Sequence, residues 1–343
     1  MSANFWNSSH CEQWIFSKQD LLRMRAEDLK NYTEEEYAKF MIFWANFIQN
    51  LVTDAAKQGH PSIRMQVIGT AVVFFKRFFI RRAFKDLDPF ALCCVCVLLA
   101  SKAEEHGQVS VTKLSQLVPQ VLLKHYNARY ELKSPIPYDI EFIIVETMDC
   151  CLIVFQPYRP LKDFLEDLKG EINKDINDLE TQSWKVVNDS FRTDACLLFP
   201  PHVIAVASII VGASLMDKDN LLKNWLPELA INLDNVYECV VVITNMYTLW
   251  RDFVEKEQVQ ALIDKLPKIN GDPPPGWGRA TSSAPPTTTS QSSFFGQFPQ
   301  TTQASSSMPG SGTGTVTVTS TGPSTSTSTT AFAFPSTSSS STQ

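Results

Sequence analysis

The stretch Asp88-Pro89-Phe90-Ala-Leu-Cys-Cys-Val-Cys-Val-Leu-Leu-Ala100-Ser101-Lys102-Ala103-Glu104-Glu105 decides the reading of the chain. Aspartate is a helix cap and proline suits the first helical turn, so Asp88-Pro89 opens a helix. From Phe90 to Ala100 there is no polar side chain, and a helix apolar on every face belongs at the centre of a bundle. The run then stops at a cation and two carboxylates. Charges so close to a core are either paired or directed at a partner. The far end of this helix is therefore the first candidate for function.

Helical spacing extends outward on both sides. Thr33-Glu34-Glu35-Glu36 is a capping box, followed by Tyr37, Phe40, Met41, Trp44, Phe47, Ile48 and Leu51, with a stop at Gly59-His60-Pro61. A second helix is expected from about Ile63 to Arg82, a fourth at Val111–Tyr126, and, after the turn Pro135-Ile-Pro137, a fifth carrying Ile140, Ile143, Ile144, Thr147, Met148 and Cys151. Pro157 and Pro160 interrupt the pattern, which then restarts. Leu161 to Leu168 and Trp184 to Ala195 form helices ahead of Pro200-Pro201. That pair opens a second all-round apolar helix, His202 to Met216, before Leu221–Ala230 and Val236–Phe253. Each half thus has five helices with a proline-initiated apolar one third, an internal duplication of organisation. The expected fold is all-α. Two tandem five-helix bundles, at 32–156 and 157–266, follow an N-terminal helical segment at 1–31 and precede a tail at 267–343. The N-terminal segment, with Phe5-Trp6, a cap at Ser8-Ser9, then Trp14, Ile15, Leu21 and Leu22, is too short to fold alone. Its aromatics must dock on the body or on a partner.

Of the 343 residues, 44% are hydrophobic, but they are unevenly spread. Nothing from Ala280 to Gln343 is charged, and that Ser/Thr/Pro-rich stretch cannot offset its chain entropy by burial, so it reads as disordered. Phe294-Phe295-Gly296 and Phe332-Ala-Phe334 are isolated aromatics in what reads as spacer. The formal net charge of −6 argues against direct binding of nucleic acid, which calls for a concentrated basic face. Lys76-Arg77 and Arg81-Arg82, interleaved with Phe74, Phe75, Phe78 and Phe79, read as the charged outer face of an amphipathic helix. No secretory leader or membrane span is expected; Val203 to Met216, the longest apolar stretch, has core-helix length. Cys93 and Cys96 have metal-pair spacing but no second pair, so the eight cysteines read as reduced thiols, with these two packed in a core. There is no phosphate-cradling loop, nucleophile elbow or histidine pair on one helix face. Neither catalysis, a metal nor a cofactor is expected.

Twin helical bundles with Leu98-Leu-Ala-Ser-Lys102-Ala-Glu104-Glu105 closing the third helix, and Glu141 in Tyr138-Asp-Ile-Glu141-Phe-Ile-Ile-Val-Glu146, resemble the cyclin family. Asn4-Phe5-Trp6, Gln13-Trp14-Ile15, Met148-Asp149-Cys150-Cys151-Leu152-Ile153-Val154, Pro157-Tyr158-Arg159-Pro160-Leu161, Asn188-Asp189-Ser190-Phe191-Arg192-Thr193-Asp194 and Pro200-Pro201 are similar to its transcriptional branch. The similarity spans about Ser2 to Lys268. The Met-Arg-Ala-Ile-Leu docking patch of cell-cycle cyclins is replaced by Tyr37-Ala-Lys-Phe-Met. The resemblance implies a non-catalytic activating subunit of a Mediator-associated cyclin-dependent kinase. It would sit in the nucleus with the other kinase-module subunits and act on RNA polymerase II transcription. It also implies that Lys102 and Glu141 meet at the kinase-binding surface. Phe5, Trp6 and Trp14 are expected to add partner choice. Glu104 and Glu105 are either rim contacts or a solvated helix end. A helical adaptor of the general transcription machinery, binding nucleic acid or activators without activating a kinase, is the alternative.

Overall fold

In the computed structural model, residues 4–59, 62–107, 109–132, 136–137, 139–172 and 176–267 are described. His60, Pro135, Tyr138 and the tail with Phe294 and Phe332 lie outside them. The described residues contain helices and no strand. In chain order these are α1 (Ser9–Gln13), α2 (Lys18–Met24), α3 (Glu34–Lys57), α4 (Met65–Arg81), α5 (Pro89–Ala103), α6 (Val111–Tyr126) and α7 (Asp139–Thr147). After them come α8 (Tyr158–Ile172), α9 (Asn177–Ser190), α10 (Ala195–Leu198), α11 (Pro201–Ser214), α12 (Trp225–Glu228), α13 (Leu233–Asp252) and α14 (Glu255–Asp264).

The boundaries follow from local chemistry. Thr33 Oγ1 accepts from Glu36 N, and Glu36 Oε2 accepts from Thr33 N, both at 3.1 Å. This reciprocal box satisfies two amides that α3 leaves without helical partners. Asp88 Oδ1 accepts from Phe90 N at 2.9 Å and so starts α5. Asn127, in the left-handed region at φ 50°, closes α6. The helix expected over Leu221–Ala230 is instead a 3-10 turn, Asp219–Leu222, followed by the single turn of α12. Pro227 explains the break, because in a longer helix it would remove a hydrogen bond and collide with the carbonyl four residues back.

Helix α5 is packed against α3, α4, α6 and α7, and α11 against α8, α9, α10 and α13. Cys93, Cys94 and Cys96 lie in the core, and burial pushes their thiols upward. Around α5 the core is aromatic: the Phe90 ring lies 4.8 Å from Trp44, 5.2 Å from Phe47 and 4.4 Å from Tyr130. Each such pair contributes about 0.5–1.5 kcal/mol beyond area burial. Around α11 the core is aliphatic, built from Val203, Ile204, Val206, Ala207, Ile209 and Val211. Gly212 lets α9 approach closely, since a Cβ there would stand 3.0 Å from Ser183 Oγ.

Lys76 and Arg77 correct the expectation of an exposed charged face on α4, whereas Arg81 is exposed as expected. Lys76 and Arg77 are fully buried. Lys76 Nζ donates to the Thr193 carbonyl, and Arg77 Nη1 donates to the Cys151 carbonyl at 3.1 Å. Arg81 Nη1 donates to the Thr147 carbonyl at 2.9 Å and pairs with Asp149. These cations join α4 to the loop after α7 and to the turn between α9 and α10. Burial lowers the pKa of Lys76 and brings that of Arg77 down to about 10.

Helix α14 was not marked by the sequence pattern. It lies against α3 and α6 and inserts Val259, Leu262 and Ile263 into the core. Tyr32 donates to the Leu262 carbonyl at 3.2 Å, and Lys265 pairs with Glu36 at 2.6 Å.

Candidate functional site

Helix α5 runs buried from Pro89 and reaches the surface only in its last turn. Ser101 is buried and Lys102 is exposed. Glu141 stands in the first turn of α7, which packs against α5. Lys102 Nζ donates to Glu141 Oε1 at 2.5 Å, with side-chain exposures of 52% and 29%. An ammonium has three donors and a carboxylate two oxygens. One hydrogen bond between them therefore leaves hydrogen-bonding capacity on both partly exposed side chains. The placement is also favourable locally. A cation belongs in the last turn of a helix and an anion in the first, each stabilising by about 0.3–1 kcal/mol.

Glu104 and Glu105 diverge. The chain turns at Glu105, whose φ is 48°, and its side chain is exposed. Glu104 turns inward. Its Oε1 accepts from Thr70 Oγ1 at 2.6 Å and from Gln156 Nε2 at 3.3 Å, which ties the end of α5 to α4 and to the link between the halves.

The N-terminal segment lies on the body. Asn4 and Ser8 cap its two short helical turns. Trp14 has no accessible surface; its ring carries Arg77 at 4.9 Å and Arg81 at 4.4 Å. A cation over an indole face is attracted by the ring quadrupole, so Trp14 anchors the segment and offers no surface of its own. His10 is buried beside Phe5 and Phe155, and its Nδ1 accepts from Phe155 N at 3.1 Å. Burial, aided by the Arg77 charge, lowers its pKa to about 3. Phe5 is half-buried against Phe155, with ring centroids 5.6 Å apart, while Trp6 is 61% exposed.

Phe142, 74% exposed, follows Glu141 directly and was not singled out from the sequence. The signal was there: Phe142 is the one large aromatic of α7 that falls off the stripe of Ile140, Ile144 and Thr147 buried by that helix. Ile153, in the loop after α7, is exposed as well. Among the described residues no group of His, Cys, Asp or Glu could hold a metal ion, and no helix is long and apolar enough to cross a membrane.

A family model described as the cyclin C-terminal domain matches residues 156–268. Cyclin-C of Caenorhabditis elegans is 45% identical over 289 residues, covering 80% of this chain and 96% of the relative. Cyclin-C of Drosophila melanogaster is 43% identical over 279 residues, covering 80% and 99%. A chain of the yeast TFIIK (Kin28/Ccl1/Tfb3) complex has the same fold at 22% identity and TM-score 0.53, covering 70% of this chain and 100% of that one. A chain of the CAK complex of Chaetomium thermophilum bound to ATP-gamma-S does so at 20% identity and TM-score 0.57, covering 76% and 87%. A third is a chain of the yeast RNA Pol II CTD kinase CTDK-1 complex, at 19% identity and TM-score 0.51, covering 70% and 74%. The chain belongs to the cyclin family, a regulatory and non-catalytic kind of protein. Within that family the chain is similar to cyclin-C of two nematodes and two fruit flies.

Proposed function

We propose that this protein is the activating subunit of a cyclin-dependent kinase that controls RNA polymerase II transcription, working in the nucleus within the kinase module of Mediator. Its C-type relatives support the class. One chain of similar fold belongs to a complex described as an RNA Pol II CTD kinase. The observation that carries the reading is the Lys102–Glu141 pair, held at 2.5 Å on the surface at the end of a helix otherwise sealed in the core.

A protein kinase works only when its own Lys–Glu pair has formed, which requires its regulatory helix to swing inward. Lys102 and Glu141 would hydrogen-bond main-chain groups of that movable region, and Phe142 would pack beside them. Phe5 and Trp6 extend the contact and select the partner. Trp14 serves by anchoring them, and Glu105 lies at the rim. Glu104 helps by bracing the end of α5. Moving a kinase from 1:99 to 99:1 in favour of the active arrangement takes about 5.5 kcal/mol of differential binding. A standard interface of about 1,600 Å² with a few desolvated anchors can supply it. On this reading the first bundle, 32–156, carries the contact surface. The segment 1–31 adds selectivity, the bundle 157–266 supports both, and 267–343 is spacer. The chain contributes no catalysis of its own.

The test is a kinase assay on the co-purified cyclin-dependent kinase with and without this chain. Strong stimulation is expected. Kinase activity that ignores the chain would leave only the adaptor reading.

A further inference from the structure

The N-terminal segment touches both halves of the molecule, and among the described residues an ion pair, a main-chain hydrogen bond and a ring contact join it to one short run of the second half. Arg25, just after α2, forms a two-pronged ion pair with Asp194, with Nη1 2.6 Å from Oδ2 and Nη2 2.7 Å from Oδ1. Phe16 N donates to the Leu197 carbonyl at 2.8 Å. The Trp6 ring lies 5.3 Å from His202. As the segment is followed back toward its start, the contact points advance from 194 to 197 to 202, so the two strings of residues run antiparallel. The geometry is held from below. The Thr193 hydroxyl donates to the Ser190 carbonyl and accepts from Ala195 N, which shapes the turn, and Lys76 of α4 donates to the Thr193 carbonyl. Paired, two-pronged Arg–carboxylate contacts fix direction as well as distance.

We infer that the run Asp194–His202 is a seat through which the second half positions Phe5 and Trp6 for kinase recognition, although that half supplies no contact like Lys102–Glu141. This rests on the kinase reading above and adds a role for residues remote from the pair. Asp194, Leu197 and His202 are positioning residues. They act through the segment, and the exposed Trp6 delivers the effect.

The test uses the full chain. The variant Arg25→Gln, Asp194→Asn, His202→Ala removes two of the three points and neutralises both members of the ion pair, while Lys76 keeps its hydrogen bond to the Thr193 carbonyl. Native-state hydrogen exchange should show the amides of residues 9–25 opening at least about tenfold more readily, with α5 amides unchanged. Affinity for the co-purified kinase should fall by the same factor as in Phe5→Ala, Trp6→Ala. Combining both sets should cost less than about twofold more, because coupled sites are not additive. Segment exchange at the parental level would overturn the inference. So would a full additional loss on adding Phe5→Ala, Trp6→Ala, or an equal rise in α5 exchange, which would make the run a general core support. His202→Ala alone, at a half-buried ring, guards against failure to fold and should raise exchange around Trp6 only. If Phe5→Ala, Trp6→Ala binds kinase at full strength, the selectivity role fails, while the exchange measurement still decides the seating.

Discussion

The two central helices are built alike and end differently. Both open on proline, Pro89 and Pro201, and both are buried almost throughout. Helix α5 finishes in Ser101-Lys102, and Lys102 reaches 2.5 Å to Glu141 on the neighbouring α7. Helix α11 runs out into Leu215, 57% exposed. The next cation, Lys218, meets Asp178 only at 3.5 Å, with side-chain exposures of 42% and 81%. Interior residues decide that a helix is central, whereas the last turn decides whether it does anything beyond packing. On the proposed reading, the same architecture, used twice, gives one surface for a partner and one support.

The cores themselves offer the largest contrast to test. Phe90→Ala removes the ring at the centre of the aromatic cluster and should cost about 3–5 kcal/mol in urea unfolding. Ile209→Val in α11 trims a single methyl group and should cost about 0.5–1.5 kcal/mol. A reversed order would mean that the Phe90 ring is not packed at the centre of its cluster.

Two carboxylates at the junction with the N-terminal segment titrate in opposite senses. Burial pushes Asp28 up to about 6, against the hydrogen bond from Phe84 N. Its ordinary value is 3.8, so the folded state holds its proton more tightly and the group lowers stability as pH rises from about 4 through 6. Asp28→Asn should therefore be more stable than the parent at pH 7.5, by about 3 kcal/mol, and show no gain at pH 4. At Asp194 burial acts upward too, but the Arg25 charge and hydrogen bonds outweigh it and hold the pKa at about 2. That contribution is present above about 4 and is lost as pH falls through 2. Opening of the segment that becomes no easier on acidification over that range, once the slower intrinsic amide exchange at low pH is divided out, would count against the ion pair as its fastening.

The smallest effect belongs to the second half. Lys218→Ala breaks an exposed, long pair and should change stability by no more than about 0.5 kcal/mol. It should leave kinase binding unaltered. A measurable loss of binding there would erase the contrast between the two helix ends.

Where the signal was local, the sequence was readable. The capping box at Thr33, Asp88-Pro89 before α5, and the spacing of α6 all lie within a few residues of the structure they specify. Tertiary events were not. Lys76 and Arg77 are buried against main-chain carbonyls of Thr193 and Cys151, and a carbonyl acceptor leaves no mark on residue type. Helix α14 opens with Glu255-Lys256-Glu257 and buries only Val259, Leu262 and Ile263, too sparse a stripe to stand out. In Leu221–Ala230 the apolar spacing outweighed Pro227. At the site, the likeness to cyclins singled out Lys102 and Glu141. Phe142 needed only the observation that it falls outside the buried stripe of its helix. The two possible fates of the N-terminal aromatics divided: Trp14 went into the body and Trp6 stayed outside.

Kinase affinity of Lys102→Ala and of Glu141→Ala, measured beside their melting temperatures, tests the role of the pair most directly. Because the pair is exposed, each change should cost stability less than about 1 kcal/mol. Each should nonetheless weaken binding by about tenfold or more, since truncating one member of a charge pair desolvated at an interface costs about 2–5 kcal/mol. Undiminished kinase binding by both variants, with melting unchanged, would contradict it.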